Sequence, residues 1–243
     1  SGGTTLPLSD TLTSSDGSIS APISVTAQRA WGWDYLWQAV ATTNGISLAD
    51  AAEAEVAGGG GGFSQIEATP AYQQGVSGTR SFSAVQYLTP TTFKKVDGIV
   101  EPTEWNFNAT PAVTHGTGTG RVEPDVSADA DPISGYLLYE PSFAAVGQPL
   151  LQGGWGGTSF VAPQLNGAAA VIDSYVGHRV GFWDPAMYAA ATGGNSPLTP
   201  LNHSGTTNDN LYYTGTPGTV YNPATGLGYP NLGALAGHLA AGR

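Results

Sequence analysis

The stretch from Phe160 to Val176 constrains this chain more than any other. Phe160, Val161, Ala162, Leu165, Ala168, Ala169, Ala170, Val171, Ile172 and Val176 leave almost no polar face, and a helix that is apolar nearly all round belongs inside an α/β layer rather than on its surface. Gly156-Gly157-Thr158-Ser159 leads into it, and Pro163 is expected in its first turn, where a missing N–H costs nothing. Ser159 therefore stands where a glycine-rich loop becomes a helix, beside unpaired backbone N–H groups and over the positive end of the helix dipole. That place suits an oxygen anion developing in acyl transfer. It suits a serine that merely caps the helix as well, and the segment alone leaves both readings open.

Four further blocks accompany it. They are Gly2-Gly3-Thr4-Thr5-Leu6; Gly60-Gly61-Gly62-Phe63-Ser64 with Pro70-Ala71-Tyr72-Gln73; Arg121-Val122-Glu123-Pro124-Asp125-Val126-Ser127-Ala128-Asp129-Ala130-Asp131-Pro132 with Gly135-Tyr136; and Asn222-Pro223-Ala224-Thr225-Gly226-Leu227-Gly228-Tyr229-Pro230-Asn231. With these blocks the chain resembles the sedolisins, serine-carboxyl peptidases of subtilisin-like fold that work in acid. The resemblance implies an α/β fold, a parallel sheet between helices, in which residues 1–243 supply the C-terminal portion of a single catalytic domain. It makes Ser159 the nucleophile of an endopeptidase and gives Gly157 and Thr158 the shaping of the loop. The stretches 7–57 and 74–120 carry no block of that family.

Subtilisins share the Gly-Thr-Ser segment, so the activating group decides between the two. His115-Gly116-Thr117-Gly118 looks like a subtilisin histidine motif but comes too late in the chain, just before Pro124-Asp125, and reads as a loop histidine; His178, His203 and His238 follow the serine and read as surface residues. In sedolisins a glutamate is the base, an aspartate one helical turn along holds it, and a second aspartate serves the oxyanion. At a pH of about 3 to 4 a histidine of pKa ~6.5 is already protonated, whereas a carboxylate near ~4.3 still accepts a proton. A protonated aspartic acid, in turn, donates to the oxyanion.

Neither carboxylate set is present. No glutamate is followed four positions later by aspartate, the spacing that shares a helix face. Asp97 with Glu101 has the order reversed, Asp125 with Asp129 falls in a block read as structural, and Asp50, Glu53 and Glu55 read as a solvated helix face. The family's oxyanion aspartate precedes the Gly-Gly-Thr-Thr block, with which this chain opens. The expectation is therefore a two-chain peptidase, whose Glu, Asp and oxyanion Asp come from a separate N-terminal chain of the same precursor. A truncated fragment or a noncatalytic binding or assembly module that keeps the fold is the alternative.

Composition points to acid independently. The chain holds 7 Lys/Arg and 18 Asp/Glu with a formal charge of -11 at pH 7; in strong acid the carboxylates neutralise, self-repulsion stays modest, and few salt-bridged carboxylates remain to drive unfolding. Acid adaptation fits, and so does the ordinary low charge of secreted, glycine- and threonine-rich proteins; the expectation is a secreted, extracellular chain, and under the first reading an acidic environment. Zero cysteines exclude disulfides and thiolate metal sites. No basic patch invites nucleic acid, and no apolar run approaches the ~20 residues that span a bilayer.

The rest reads as short elements. Ile19, Ile23 and Val25 suggest a strand within 17–30, and Trp31 to Trp37 is an aromatic cluster that either lines a groove or covers the core. Residues 47–56 suggest a helix ending at glycines 58–62, which lack the Lys-Ser/Thr of a phosphate loop and let backbone approach backbone or a peptide. Residues 80–120 suggest a hairpin-like surface insertion with Lys94 and Lys95 near its tip. Strands are expected over 122–128, 136–139 and 146–151, and helices over 185–190 and 232–241. The resemblance implies a calcium site in the loop-rich 193–230 segment, but Leu201 or Asn202 and then Asn222 stand at its aspartate positions; neutral amides hold a hard cation weakly, so no bound metal or other cofactor is expected.

Overall fold

The computed structural model describes residues 1–241. Its first part runs β1 (Gly2–Thr5), β2 (Leu8–Thr13), β3 (Ser20–Val25), β4 (Arg29–Ala30), α1 (Asp34–Asn44), α2 (Leu48–Ala54) and β5 (Gly62–Phe63). The middle holds β6 (Ser81–Ala84), β7 (Leu88–Val96), β8 (Ile99–Phe107), β9 (Thr114–Thr117), β10 (Val122–Glu123), β11 (Ser127–Asp129), β12 (Tyr136–Tyr139) and β13 (Leu151–Trp155). Then follow α3 (Thr158–Val176), α4 (Asp184–Ala191), β14 (Leu198–Thr199), β15 (Tyr213–Thr214), β16 (Tyr229–Pro230) and α5 (Leu232–Ala241). The architecture is mixed α/β with small sheets: β1 pairs in parallel with β11 and antiparallel with β4, β6 lies between β9 and β15, and the remaining sheets are antiparallel pairs. Among the described residues no helix is long and apolar enough to cross a membrane.

Two cores form. The hairpin β2–β3 turns Ala21, Ile23 and Val25 inward by the alternation of a half-buried strand, and they meet Leu36, Trp37 and Val40 of α1 and Ala51 and Ala52 of α2. Gly45, left-handed at φ 63°, closes α1, and Ser47 opens α2 through a capping box in which its hydroxyl and the Asp50 carboxylate each serve the other's backbone N–H. Asp50 thus lies on the solvated face the sequence suggested and caps the helix as well. The aromatic cluster at 31–37 covers the core by becoming the start of α1, an element the clustered tryptophans concealed. The Trp37 ring is edge-on to Tyr87 (5.0 Å) and Phe107 (5.8 Å), so it anchors the root of the β7–β8 hairpin. That hairpin extends into solvent with Lys94 and Lys95 beside the turn at Asp97-Gly98. The second core gathers Val122, Val126, Met187, Tyr188, Tyr221, Leu227 and Leu235.

Arg29 ties the two ends of the chain together. Its Nη1 and Nη2 donate to Asp34 Oδ2 and Oδ1 at 2.9 and 2.6 Å, Nη2 also donates to the Asp209 carbonyl at 2.8 Å, and the Ala30 N–H donates to Asn208 Oδ1 at 3.0 Å. Segment 208–214 is thereby seated on β4 and the start of α1.

Three expectations are corrected. Residues 141–146 form a 3₁₀ turn begun by Pro141, so the strand expected at 146–151 starts only at Leu151. His115 lies on β9 rather than in a loop, because the alternation from Thr114 to Thr117 pairs with β6. Finally, α3 is not enclosed: only Val161 and Ile172 are buried, and Val171 and Tyr175 are each 70% exposed. Among the described residues α3 packs on α5, β1 and β11, and Phe160 in its first turn meets rings of β12 and β13, while Val171 and Tyr175 on its outer face stay open.

Replacing Trp37 by Ala removes the shared wall between α1 and the hairpin. An expected loss of about 3–5 kcal/mol in unfolding free energy is checked by urea titration.

Candidate active site

The loop into α3 is shaped by close approach. A Cβ on Gly156 would sit 2.5 Å from the Ala130 carbonyl oxygen and 2.6 Å from Pro132 N, and Gly157 adopts φ 87°, ψ 158°, open in practice to glycine alone. The Gly157 N–H donates to the Ala130 carbonyl at 2.5 Å, which fixes the loop against the end of β11. Gly157 is then the N-cap, Thr158 the first helical residue and Ser159 the second, with no side-chain capping bond. Ser159 is exposed and its hydroxyl has no hydrogen-bond partner among the described residues. A serine that capped the helix would use its oxygen on the N–H groups of the first turn. This one leaves its oxygen free, and its own N–H is among the donors without an intrahelical acceptor. The ring of Phe160 stacks on Tyr136 at 5.5 Å and leans on Trp155 at 6.0 Å, holding the first turn to β12 and β13. Pro163 is the sixth helical residue rather than part of the first turn, so the Ser159 carbonyl lacks its i+4 donor.

Thr158 lines a groove of about 610 Å³ with Gly60, Gly61, Gly62, Arg121 and Glu123. The glycines form one wall because side chains do not fit behind them: a Cβ on Gly61 would lie 1.8 Å from the Pro223 carbonyl oxygen, while Gly60 meets nothing within 4 Å and faces the opening. Arg121 is held by Asp125 at 2.6 Å, by Glu123 at 3.1 Å and by the Tyr72 hydroxyl. Asp125 also accepts from Tyr188 OH at 3.0 Å, which gives it the structural use its block suggested.

Two carboxyls near this region hold their protons unusually well. Burial, reinforced by the charge of Asp131 and opposed by a hydrogen bond from Ser134, raises Asp129 to about 6. Burial and the Asp125 charge raise Asp184 to about 6. Sequence reasoning missed a third acid, Asp131, which is wholly buried and accepts from Thr5 Oγ1 (2.8 Å), Trp33 Nε1 (2.9 Å), Tyr35 OH (2.8 Å) and Ile133 N (3.0 Å). Its signal was its position: Asp129-Ala130-Asp131 begins on a strand, so alternate residues share one face.

The remaining candidates lie elsewhere. His115 Nδ1 is 2.9 Å from the buried Ser83 hydroxyl, and His178, His203 and His238 are exposed. Leu201 is buried, and its carbonyl accepts from Asn208 Nδ2 (3.0 Å) and Asn222 Nδ2 (3.1 Å). Asn202 Nδ2 donates to the Thr219 carbonyl at 3.0 Å, and Asn222 Oδ1 accepts from the N–H groups of Ala224 and Thr225 and from Thr225 Oγ1. Donors surround the oxygen that a cation would need. Among the described residues no three His, Cys, Asp or Glu side chains are grouped to hold a metal.

No family model matches the chain. A partial likeness over about half of its length relates it to the sedolisin-type peptidases. The relative that carries it is kumamolisin of Bacillus sp. (strain MN-32), 33% identical over 123 residues, which are 51% of this chain and 20% of that protein. The chain thus spans about a fifth of the relative's length.

Because Asp129 and Asp184 bind their protons more tightly folded than at the ordinary 3.8, the stability they contribute is complete below about pH 3.8 and lost as pH rises through about 6. Carboxyl carbon NMR is expected to find both midpoints near 6, well above those of exposed aspartates.

Proposed function

We propose that residues 1–243 are the C-terminal part of the catalytic domain of a secreted, acid-acting serine-carboxyl endopeptidase, in which Ser159 forms the acyl-enzyme. The observation that carries this reading is the free Ser159 hydroxyl at the second position of α3, next to a cap formed by Gly157. In the reaction Ser159 Oγ attacks the scissile carbonyl and gives up its proton, while the Ser159 N–H stabilises the oxyanion. A peptide lies along the Gly60–Gly62 wall, and Gly157 and Thr158 shape the turn that aims the serine.

The base Glu, its Asp partner and the oxyanion Asp come from an N-terminal chain of the same precursor. That chain packs on the open face of α3 and extends the β1–β11 pair into a parallel sheet between helices. Support comes from the exposed Val171 and Tyr175 and from an apolar furrow of about 460 Å³ between α3 and α5, lined by these two with Leu232 and Ala236. Burying such side chains contributes about 1.5–3 kcal/mol apiece, enough for a companion layer to stay bound after cleavage of the precursor. Residues 80–120 are a surface insertion of this domain. Acid action fits the sparse charge and the raised Asp129 and Asp184.

Calcium has no part in this reading. The 201–222 loop is held by Asn202 and Asn222 in place of aspartate ligands, and a chelator is expected to leave the melting temperature unchanged; a drop on chelation speaks for a bound cation.

Intact mass of the natural material under denaturing conditions tests the partner: a second polypeptide in equal amount is expected. In that two-chain material Ser159→Ala should lower kcat/KM for peptide cleavage by more than about 10³-fold with an unchanged circular dichroism spectrum. Retained cleavage would remove Ser159 from the mechanism and leave the noncatalytic binding or assembly module.

A further inference from the structure

Beyond the groove, the knot around Arg29 holds one more carboxyl than its cation can neutralise. Asp34 takes both guanidinium arms, at 2.9 and 2.6 Å. Asp209, whose side chain is wholly buried, receives Leu211 N–H on Oδ1 at 2.9 Å, but its Oδ2 has no hydrogen-bond partner among the described residues, and Arg29 Nη2 is 3.7 Å away. An ionised carboxylate in that place has one cation already shared with a second carboxylate and no exposed surface through which solvent could screen it, an arrangement that costs far more than it returns. The groups facing the knot add no further positive charge. Tyr87 directs its hydroxyl to the Thr206 carbonyl, and Asp131 adds to the repulsion felt by Asp34. The proton belongs on Asp209 rather than Asp34, because both oxygens of Asp34 already accept from the guanidinium.

Position gives that proton a consequence. Asp209 heads a tight loop whose backbone is packed against glycines: a Cβ on Gly32 would meet the Asp209 carbonyl at 2.6 Å, and one on Gly58 the Asn210 carbonyl at 2.8 Å. Asn210 Oδ1 accepts from Tyr213 N–H at 2.7 Å, and the Tyr213 side chain lies behind Gly62, where an added Cβ would come 3.3 Å from its hydroxyl; Gly62 itself lines the groove. We propose that Asp209, with Arg29 and Asp34, is a proton-held latch that keeps the 208–214 loop, and with it the Gly58–Gly62 segment that supplies the groove's glycine wall, seated in acid and releases it as the medium approaches neutrality. Consistent with the geometry, burial and the charge of Asp34, partly offset by Arg29, push the Asp209 carboxyl up to about 8. The sign follows: the stabilisation is complete below the ordinary 3.8 and lost as pH rises through about 8.

Equilibrium urea unfolding of the protein and its Asp209→Asn variant from pH 4 to pH 8 tests the latch. One extra bound proton makes the folded-to-unfolded ratio fall about tenfold per pH unit between about 5 and 7. Asp209→Asn should shallow the wild-type decline by that slope and match the wild type at pH 4 within about threefold. Equal slopes in the two proteins, or a variant already weakened at pH 4, would overturn the proposal. Should the variant fail to fold, the Asp209 carboxyl carbon in the wild type decides: a resonance that stays put from pH 3 to pH 6 supports the latch, and titration near 4 refutes it. Neither readout uses peptide cleavage, so the latch stands or falls apart from the role of Ser159.

Discussion

The Asp131 carboxylate is the interaction on which the rest of this structure depends. A buried carboxyl group is tolerated only when its polar atoms are partnered, and here four donors from three separate stretches partner them: Thr5 from β1, Trp33 and Tyr35 around the entry to α1, and the backbone of Ile133. The sheet, the first helix and the turn after β11 are therefore fixed to one another at a single point. Ala130, immediately before it, presents its carbonyl to Gly157. The line from Asp131 through Ala130 to the glycine loop is short and rigid, and it sets where α3 begins. Removing the carboxylate would leave an indole N–H and two hydroxyls unpartnered in the same small volume.

Burial is distributed unevenly around that point. On the side of β2, β3, α1 and α2 the apolar residues are enclosed, down to alanines with no exposed surface. On the other side, from Ile133 through Phe182, Leu137, Tyr139, Val146, Leu151, Val171 and Tyr175 all lie open. Scattered apolar residues on a surface need no explanation, but here they recur along one helix and the neighbouring ribbon. Sparse charge sharpens the contrast, since Asp173 is the only Asp, Glu, Lys, Arg or His in α3.

Local chemistry was legible in the sequence, and long-range pairing was not. The α2 helix, the hairpin with Lys94 and Lys95 at its tip, α4, α5 and the entry to α3 follow from caps, glycines and periodicity that act within a few residues. The α1 helix was hidden because tryptophans in a row read equally as strand, cover or groove, and only their tertiary neighbours decide. Pro163 was misplaced by half a helical turn or more because a helix start cannot be fixed without its cap geometry. The apolar content of α3 predicted an enclosed helix, and the structure leaves much of it open, since apolar content reports what a helix tends to bury and not whether the fold around it supplies the cover. Asp131 and the Asp209 arm of the Arg29 knot lay outside reach because the partners that define them sit about 100 to 180 positions away, although Asp34 is only five from Arg29. One hint was present: a single arginine beside Ala30-Trp31-Gly32-Trp33, in a chain with so few charges, has to find an acid.

Pro163 carries a mechanical consequence. A proline inside a helix removes one rung from the ladder, and the rung missing here is the one that would have tied the Ser159 carbonyl to the following turn. The serine is consequently hung from the loop side, by the Gly157–Ala130 bond and the stacked Phe160, more than from the body of its own helix. Its first turn behaves as a short tongue clipped to β11 and β12, so movements of the helix barrel, as when another layer docks against it, reach Ser159 in attenuated form.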